Sequence, residues 1–383
     1  MRVGIIGMGI AGFRPATPEL SWKELMFEAA SRAYADAGVD PRADVGSFVT
    51  CAEDYYEGFG IFDEFVPDQL GAVLRPTCTV SGDGLQGLAT AFMQIQTGLV
   101  DVAVVEAHSK ASDIRTFDGI LEHGLDPIWT RPLGGHAFVA AGLEADAYLR
   151  GTRTVRKALD AVVRKNRGNA RFNPHAAYPA NLEPSHLDAA EERFRPLRTL
   201  DISSLADGCV VVVIASEPAA RRLKASPIWI RGIGWASDSP TLETRDLVGA
   251  AYARLAADQA YRMAKLRAPA RDVDVAEVDD RFSYKELQHL EAIGLAKTGE
   301  AGRRAIRGDF AQDGRLPVNA SGGSLGCGNV LEATGLHRAA EIVCQLRGEA
   351  GRRQVDGAKV GIAQSWRFVP TATGAVAVLG ASA

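Results

Sequence analysis

One pattern in this chain occurs twice. Ala29-Ala30-x-x-Ala33-Tyr34-x-x-Ala37 returns 227 residues later as Ala256-Ala257-x-x-Ala260-Tyr261-x-x-Ala264. A second pair, Ala206-x-Gly208-x-Val210-x-Val212 and Ala372-x-Gly374-x-Val376-x-Val378, is separated by only 166. The first motif repeats at the spacing of a helix face, and the second alternates like a strand. A chain that repeats a helix and a strand in the same order is a duplicated α/β unit, since each copy has the same faces to bury. The unequal offsets make the first copy about 61 residues longer between these marks. Residues 113–196, a run of helices, prolines and polar loops, supply that excess. The expected organisation is a first half at 1–225, carrying an inserted loop domain at about 113–196, and a second half at 226–383.

Within the first half, strand-like runs at Val3–Ile6, Val45–Cys51, Arg75–Val80 and Val102–Glu106 alternate with helical patterns at Leu20–Gly38, Asp63–Leu70 and Leu85–Thr97. Ile228–Ile233 opens the second half as another strand. Gly7, Gly9 and Gly12 match G-x-G-x-x-G, but a dinucleotide site needs a helix to open there, and Pro15 and Pro18 forbid one. A first strand turning into a loop is the expectation. Glu106–Ser112 is expected to be a short loop, with His108 and Lys110 structural.

The 383 residues carry a net charge of −4, which gives no electrostatic case for nucleic acid or an anionic membrane surface. No apolar run approaches the roughly 18 residues that span a bilayer, and the N-terminus lacks a signal-peptide layout. Five scattered cysteines without a C-x-x-C pair point to reduced thiols, a cytoplasmic setting and no metal site in this chain.

The densest glycine stretch is Asn319–Gly335, N-A-S-G-G-S-L-G-C-G-N-V-L-E-A-T-G, set between an apolar run and a helical pattern. Such a loop lets backbone approach other backbone or a ligand closely, and a following helix aims unpaired N–H groups at the loop. From Gly322 to Gly335 it aligns without gaps on the Gly-Gly … Gly-His-Pro … Ala-Thr-Gly signature and so resembles thiolases of the sterol-carrier-protein (lipid-transfer) type. Asn329 stands at the signature's His and Val330 at its Pro. Lys165-Asn166 … Asn169-Ala170 … Asn173-Pro174 and Pro196–Ser216 resemble further segments of that family, so the likeness covers nearly the whole chain.

The resemblance implies the thiolase fold, a five-layer αβαβα arrangement of two duplicated α/β halves with a loop domain in the first. It also implies chemistry on a coenzyme A thioester. Thiolases use a Cys at a helix N-terminus as acyl acceptor, a His to activate it, a second Cys for the α-proton, and an Asn or His for the oxyanion. Here Ser81 falls at the first Cys and Asn329 at the His. Asp279, in Asp279-Asp280-Arg281-Phe282, falls at the oxyanion position, and Ala363–Pro370 contains neither Cys nor His. A shifted register would instead make Cys78 the nucleophile and Cys327 the second thiol. A Ser without an adjacent base is a poor nucleophile.

Some members of this family cleave 3-hydroxyacyl-CoA by retro-aldol chemistry, with tyrosines as acid and base, beside a zinc-ribbon/OB-fold partner subunit. On that comparison Tyr284 is the candidate base. Asn329 and the backbone N–H groups of Gly322, Gly323, Gly326 and Gly328 are the candidate clamp on the thioester oxygen. The resemblance further implies a homodimer formed through the first half. The competing expectation is a catalytically silent thiolase-fold subunit that binds acyl-CoA or supports a partner.

Overall fold

The computed structural model describes residues 1–58, 60–239 and 241–382, with nothing assigned to the side chain of Glu57. The strands are β1 (Val3–Arg14), β2 (Ser47–Cys51), β3 (Thr77–Val80), β4 (Val102–Lys110), β5 (Glu192–Phe194), β6 (Leu197–Arg198), β7 (Asp207–Ser216), β8 (Ile228–Ser237), β9 (Val275–Glu277), β10 (Val360–Trp366) and β11 (Thr373–Gly380). Among the described residues, β5 and β6 form a small ribbon and the other nine run in the order β3-β2-β4-β7-β1-β8-β11-β10-β9.

The duplication predicted from the sequence is visible in this order. In the first half β2 is parallel to β3 and β4, and β7 runs antiparallel to both β4 and β1. In the second half β9 is parallel to β10, and β11 runs antiparallel to both β10 and β8. A parallel bridge from Ala276 to Val318 stands where β3 stands in the first half. The halves join edge to edge at two residue pairs, Gly4 with Trp229 and Ile5 with Ile228. We propose the boundary at 225/226, just before β8.

Five layers follow from how the faces are buried. Helices α1 (Trp22–Ala37), α2 (Gly84–Gln96), α3 (Arg156–Ala170), α4 (Ala251–Ala264), α5 (Gly323–Cys327) and α6 (Ala333–Arg347) matter most here. In β7, Val210, Val212 and Ile214 face a central core, and Cys209, Val211, Val213 and Ala215 face an outer one. The mate strand β11 divides the same way, with Ala375, Ala377 and Leu379 inward and Val376 and Val378 outward. The central core takes Leu85 and Leu88 from α2 and Leu336 and Ala340 from α6, so both sheet halves share these two helices. Helix α1 covers the outer face of the first half, and α4 that of the second.

The twice-written alanine motif is the surface by which α1 and α4 press onto their strands. A Cβ on Gly9 would lie 2.0 Å from the Ala29 carbonyl oxygen, and one on Gly234 would lie 2.4 Å from that of Ala256. Gly7 and Gly232 meet the carbonyls of Ala33 and Ala260 in the same way, at 2.6 and 2.0 Å. The first strand therefore does not turn into a loop at these glycines. It runs on to Arg14, because small residues on both partners let the helix lie against it.

Two further expectations change. Strand β4 continues through His108 to Lys110, where Lys110 Nζ pairs with the buried Asp207 at 2.7 Å. The helix expected at Asp63–Leu70 is a short turn at Phe62–Glu64 and a short helix at Pro67–Leu70. Pro67 lacks the N–H that a continuous helix requires. Among the described residues, no helix is long and apolar enough to cross a membrane.

Candidate functional site

Ser81 follows β3 and precedes α2. Asp83 caps α2, accepting the Leu85 N–H at 3.0 Å, and its other oxygen accepts the Gly335 N–H of α6, also at 3.0 Å. The N-terminal charge of α2 is thus met by a buried carboxylate, which burial pushes above its ordinary range against the pull of Arg281. Ser81 itself is exposed. Its Oγ donates to Glu53 Oε2 at 3.0 Å and accepts from Arg367 Nη2 at 3.3 Å. Glu53 and Arg367 also form an ion pair with each other.

Beside this trio lies a cavity of about 470 Å³, whose wall includes Glu53, Tyr56, Leu121, Glu332, Arg367 and Pro370. A narrow crevice of only about 10 Å³ adjoins it, lined by Tyr56, Asp83, Arg281, Leu331, Glu332, Arg367 and Phe368. Tyr56, Glu332 and Arg367 belong to both. Two residues of the crevice have left-handed backbones, Leu331 at φ +46 and Phe368 at φ +88. Bulky residues avoid this region, and such strain persists where the surrounding structure enforces it, often at functional sites.

Asn329 is 1% exposed and lies outside the lining of both cavities. Its N–H donates to the Ser204 carbonyl at 2.8 Å, and its Oδ1 accepts the Leu331 N–H at 3.2 Å. The side-chain oxygen thus supports the strained turn at Leu331. Among the described residues, its NH₂ group has no acceptor.

Asp279 is fully buried in ion pairs with Arg281 and Arg338, both at 3.0 Å. Burial alone would raise its carboxyl, but the two guanidiniums outweigh that and hold it well below the carboxylate range. It serves as the counter-ion of a buried cluster. Its neighbour Asp280 accepts the Ser324 and Leu325 N–H groups at 2.6 and 3.1 Å, capping α5 from within the protein.

That contact changes the reading of the glycines. A Cβ on Gly322 would meet Ala170 at 2.6 Å, on Gly326 Ala170 at 2.5 Å, on Gly323 Asp280 at 2.2 Å and on Gly328 Ala206 at 2.5 Å. These four positions let α5 settle onto α3 and the neighbouring loops. Their N–H groups donate to the Asn319 carbonyl, Ser321 Oγ, the Gly322 carbonyl and the Ser324 carbonyl, so the expected clamp on a thioester oxygen gives way to a packing role.

The other sequence candidates are also placed away from the cavities. Tyr284 is fully buried and donates to Glu144 Oε2 at 2.8 Å. Burial and Glu144 push its hydroxyl well up, and it lines neither cavity, which speaks against the expected role as base. Cys78 sits half-buried on β3 with Gln94 Nε2 at 3.8 Å. Cys327 is buried, its thiol donating to the Ser321 carbonyl at 3.2 Å. Burial raises both thiols, Cys327 far more. The shifted register therefore brings neither sulfur into the cavities. Glu53, Tyr56, Glu332 and Arg367 were missed. Glu332 was within reach, because it lies inside the aligned glycine stretch.

Residues 234–381 match the family described as thiolase C-terminal domain-like. An acetyl-CoA acetyltransferase of Methanothermobacter thermautotrophicus is 30% identical over 368 residues, covering 94% of each chain. The chain belongs to the thiolase superfamily. Within it the likeness extends to the sterol-carrier-protein type. Bovine (Bos taurus) sterol carrier protein 2 is 28% identical over 94% of this chain and 69% of its own length. Among solved structures, the Ltp2-ChsH2(DUF35) aldolase superposes with a TM-score of 0.84 at 24% identity, covering 99% of this chain and 97% of that one, which shows the thiolase fold. This thiolase-superfamily member thus keeps the family's fold over its whole length.

Proposed function

We propose that this thiolase relative acts on a coenzyme A thioester and cleaves or forms the bond between its α- and β-carbons without a covalent acyl-enzyme. The cleaving direction is retro-aldol breakdown of a 3-hydroxyacyl-CoA. A base takes the β-hydroxyl proton, the Cα–Cβ bond breaks, Cβ leaves as an aldehyde or ketone, and the bond's electrons form the thioester enolate. Protonation at Cα then releases the shorter acyl-CoA. The observation that carries this reading is the chemistry of the pocket wall beside Ser81. It is built from oxygen acids and bases and guanidiniums, while Cys327 is buried, Cys78 is half-buried against Gln94, and neither sulfur lines it. Retro-aldol cleavage needs such groups and no acyl acceptor. Relatives named acetyl-CoA acetyltransferase support the substrate class, and a fold neighbour named an aldolase supports the reaction class.

We also propose that the chain works with a small zinc-ribbon/OB-fold subunit; that the Ltp2-ChsH2(DUF35) aldolase has two components supports a partner subunit. Homodimerisation through the first half is supported by the edge position of β3 and by Leu74, 99% exposed just before it. The silent-subunit alternative draws on the Glu53–Arg367 pair, which already occupies the Ser81 hydroxyl. The test is to incubate the protein, with and without such a subunit, with 3-hydroxyacyl-CoAs bearing linear, branched and cyclic β-substituents. Chromatography of the CoA products and trapping of the carbonyl fragment should show matched release of both. A panel left intact under all conditions would sink the proposal in favour of the silent subunit.

A further inference from the structure

We propose that Glu332 is the catalytic base of this site and that Tyr56 donates a hydrogen bond to the same substrate oxygen. The inference rests on the retro-aldol reading above and names the groups that would perform it.

Three observations converge on these residues. First, Tyr56, Glu332 and Arg367 are the residues shared by the 470 Å³ cavity and the narrow crevice at its inner end, so a thioester filling the cavity meets them at its floor. Second, the strained backbone falls beside them. Left-handed Leu331 immediately precedes Glu332, and left-handed Phe368 immediately follows Arg367. Each strained residue stands in the crevice lining next to its charged neighbour, and such strain carries a conformational cost. Third, the two groups are suited to opposite roles. The Glu332 carboxylate accepts a proton. The Tyr56 phenol is pushed up by burial and by the negative charge of Glu332, so it stays protonated and donates. The Tyr56 ring packs against Phe117 with centroids 5.7 Å apart, which holds the ring in the cavity wall.

In the cleavage step the β-hydroxyl proton passes to the Glu332 carboxylate while Tyr56 donates to the β-oxygen. As Cα–Cβ breaks, that oxygen becomes the carbonyl of the leaving fragment, and the electron pair goes to the thioester enolate. The proton held by Glu332 then returns to Cα, restoring the carboxylate. No oxidant or second reactant is required.

The experiment uses the full chain with its partner subunit and a 3-hydroxyacyl-CoA that the wild type cleaves. Glu332→Gln and Tyr56→Phe should each lower kcat by about 100-fold or more, with KM and Tm little changed. In Glu332→Ala, added formate should restore part of the rate, which a merely structural carboxylate would not allow. If the wild type cleaves and Glu332→Gln keeps more than about a third of its kcat, this inference fails while the proposed function stands. A Glu332→Ala protein that folds but gains nothing from formate likewise counts against it. A wild type that cleaves no member of the panel removes the proposed function and this inference with it. Should Tyr56→Phe unfold, a fluorinated tyrosine at position 56 decides its part. A rate indifferent to phenol acidity overturns the role of Tyr56.

Discussion

Replacing Glu277 with glutamine tests how the glycine-rich loop is anchored to the sheet. Glu277 ends β9 and is 1% exposed. Its two oxygens accept the Ser321 N–H at 3.0 Å and the Ser321 hydroxyl at 2.6 Å. Burial and the nearby Glu341 carboxylate raise it from 4.5 to about 7, against these hydrogen bonds. Glu341 is buried too, yet His337 and Arg353 hold it at about 2. The signs then separate by pH. A carboxyl raised by folding contributes stability that is complete below its unfolded value and is lost as pH rises through its folded one. For Glu277 that window runs from 4.5 to about 7, and a shift of this size is worth on the order of 3 kcal/mol. Glu341 has the opposite slope at lower pH. Its contribution is present above 4.5 and lost as pH falls toward about 2. The glutamine side chain cannot ionise and keeps one oxygen for Ser321. The unfolding free energy of Glu277→Gln relative to wild type should therefore rise by on the order of 3 kcal/mol between pH 4.5 and 7.5. Urea unfolding followed by circular dichroism at half-unit steps measures this. A difference that stays constant with pH would refute the reasoning.

The remaining expectations concern the site and the fold. No acyl group should reside on Ser81, whose hydroxyl is held between Glu53 and Arg367. Intact-mass measurement after incubation with acyl-CoA checks this, and an adduct mapped to Ser81 would contradict it. If the Asn329 NH₂ clamps the thioester oxygen, Asn329→Ala should cost about 3–4 kcal/mol, roughly 10²- to 10³-fold in turnover, with the shape of the pH profile unchanged. Unaltered turnover would leave Asn329 only its support of Leu331. Gly232→Ala should destabilise by about 3 kcal/mol or more, because its new methyl would lie 2.0 Å from the Ala260 oxygen. Gly119→Ala, with no atom within 4 Å, is the control in the same thermal unfolding series.

The architecture was legible because its tightest contacts leave a compositional trace. A helix pressed onto a strand needs Ala on one side and Gly on the other, and doing this twice writes the motif twice. The site left a weaker trace. Glu53 and Tyr56 come from a loop and a short helix without periodicity, and Arg367 comes from the far end of the chain. Only the folded chain brings them together. Tyr284 was chosen because it follows a motif closely, but at the start of the helix Ser283–Ala292 its hydroxyl is taken up by Glu144, outside the lining of both cavities. The glycines of 322–328 misled for a physical reason as well. Close approach to a ligand and close approach to α3 demand the same absence of a side chain.

The shared central layer sets a limit on what either half can do alone. Each half supplies one sheet face and one of the two helices α2 and α6, and the inner core is complete only when both are present. A fragment ending at 225 or beginning at 226 would leave a broad apolar face open to water, a state prone to self-association. The same incompleteness makes each fragment the natural cover for the other. Produced together as two separate chains, they have the means to find one another and rebuild a single five-layer molecule, with the peptide link between them dispensable.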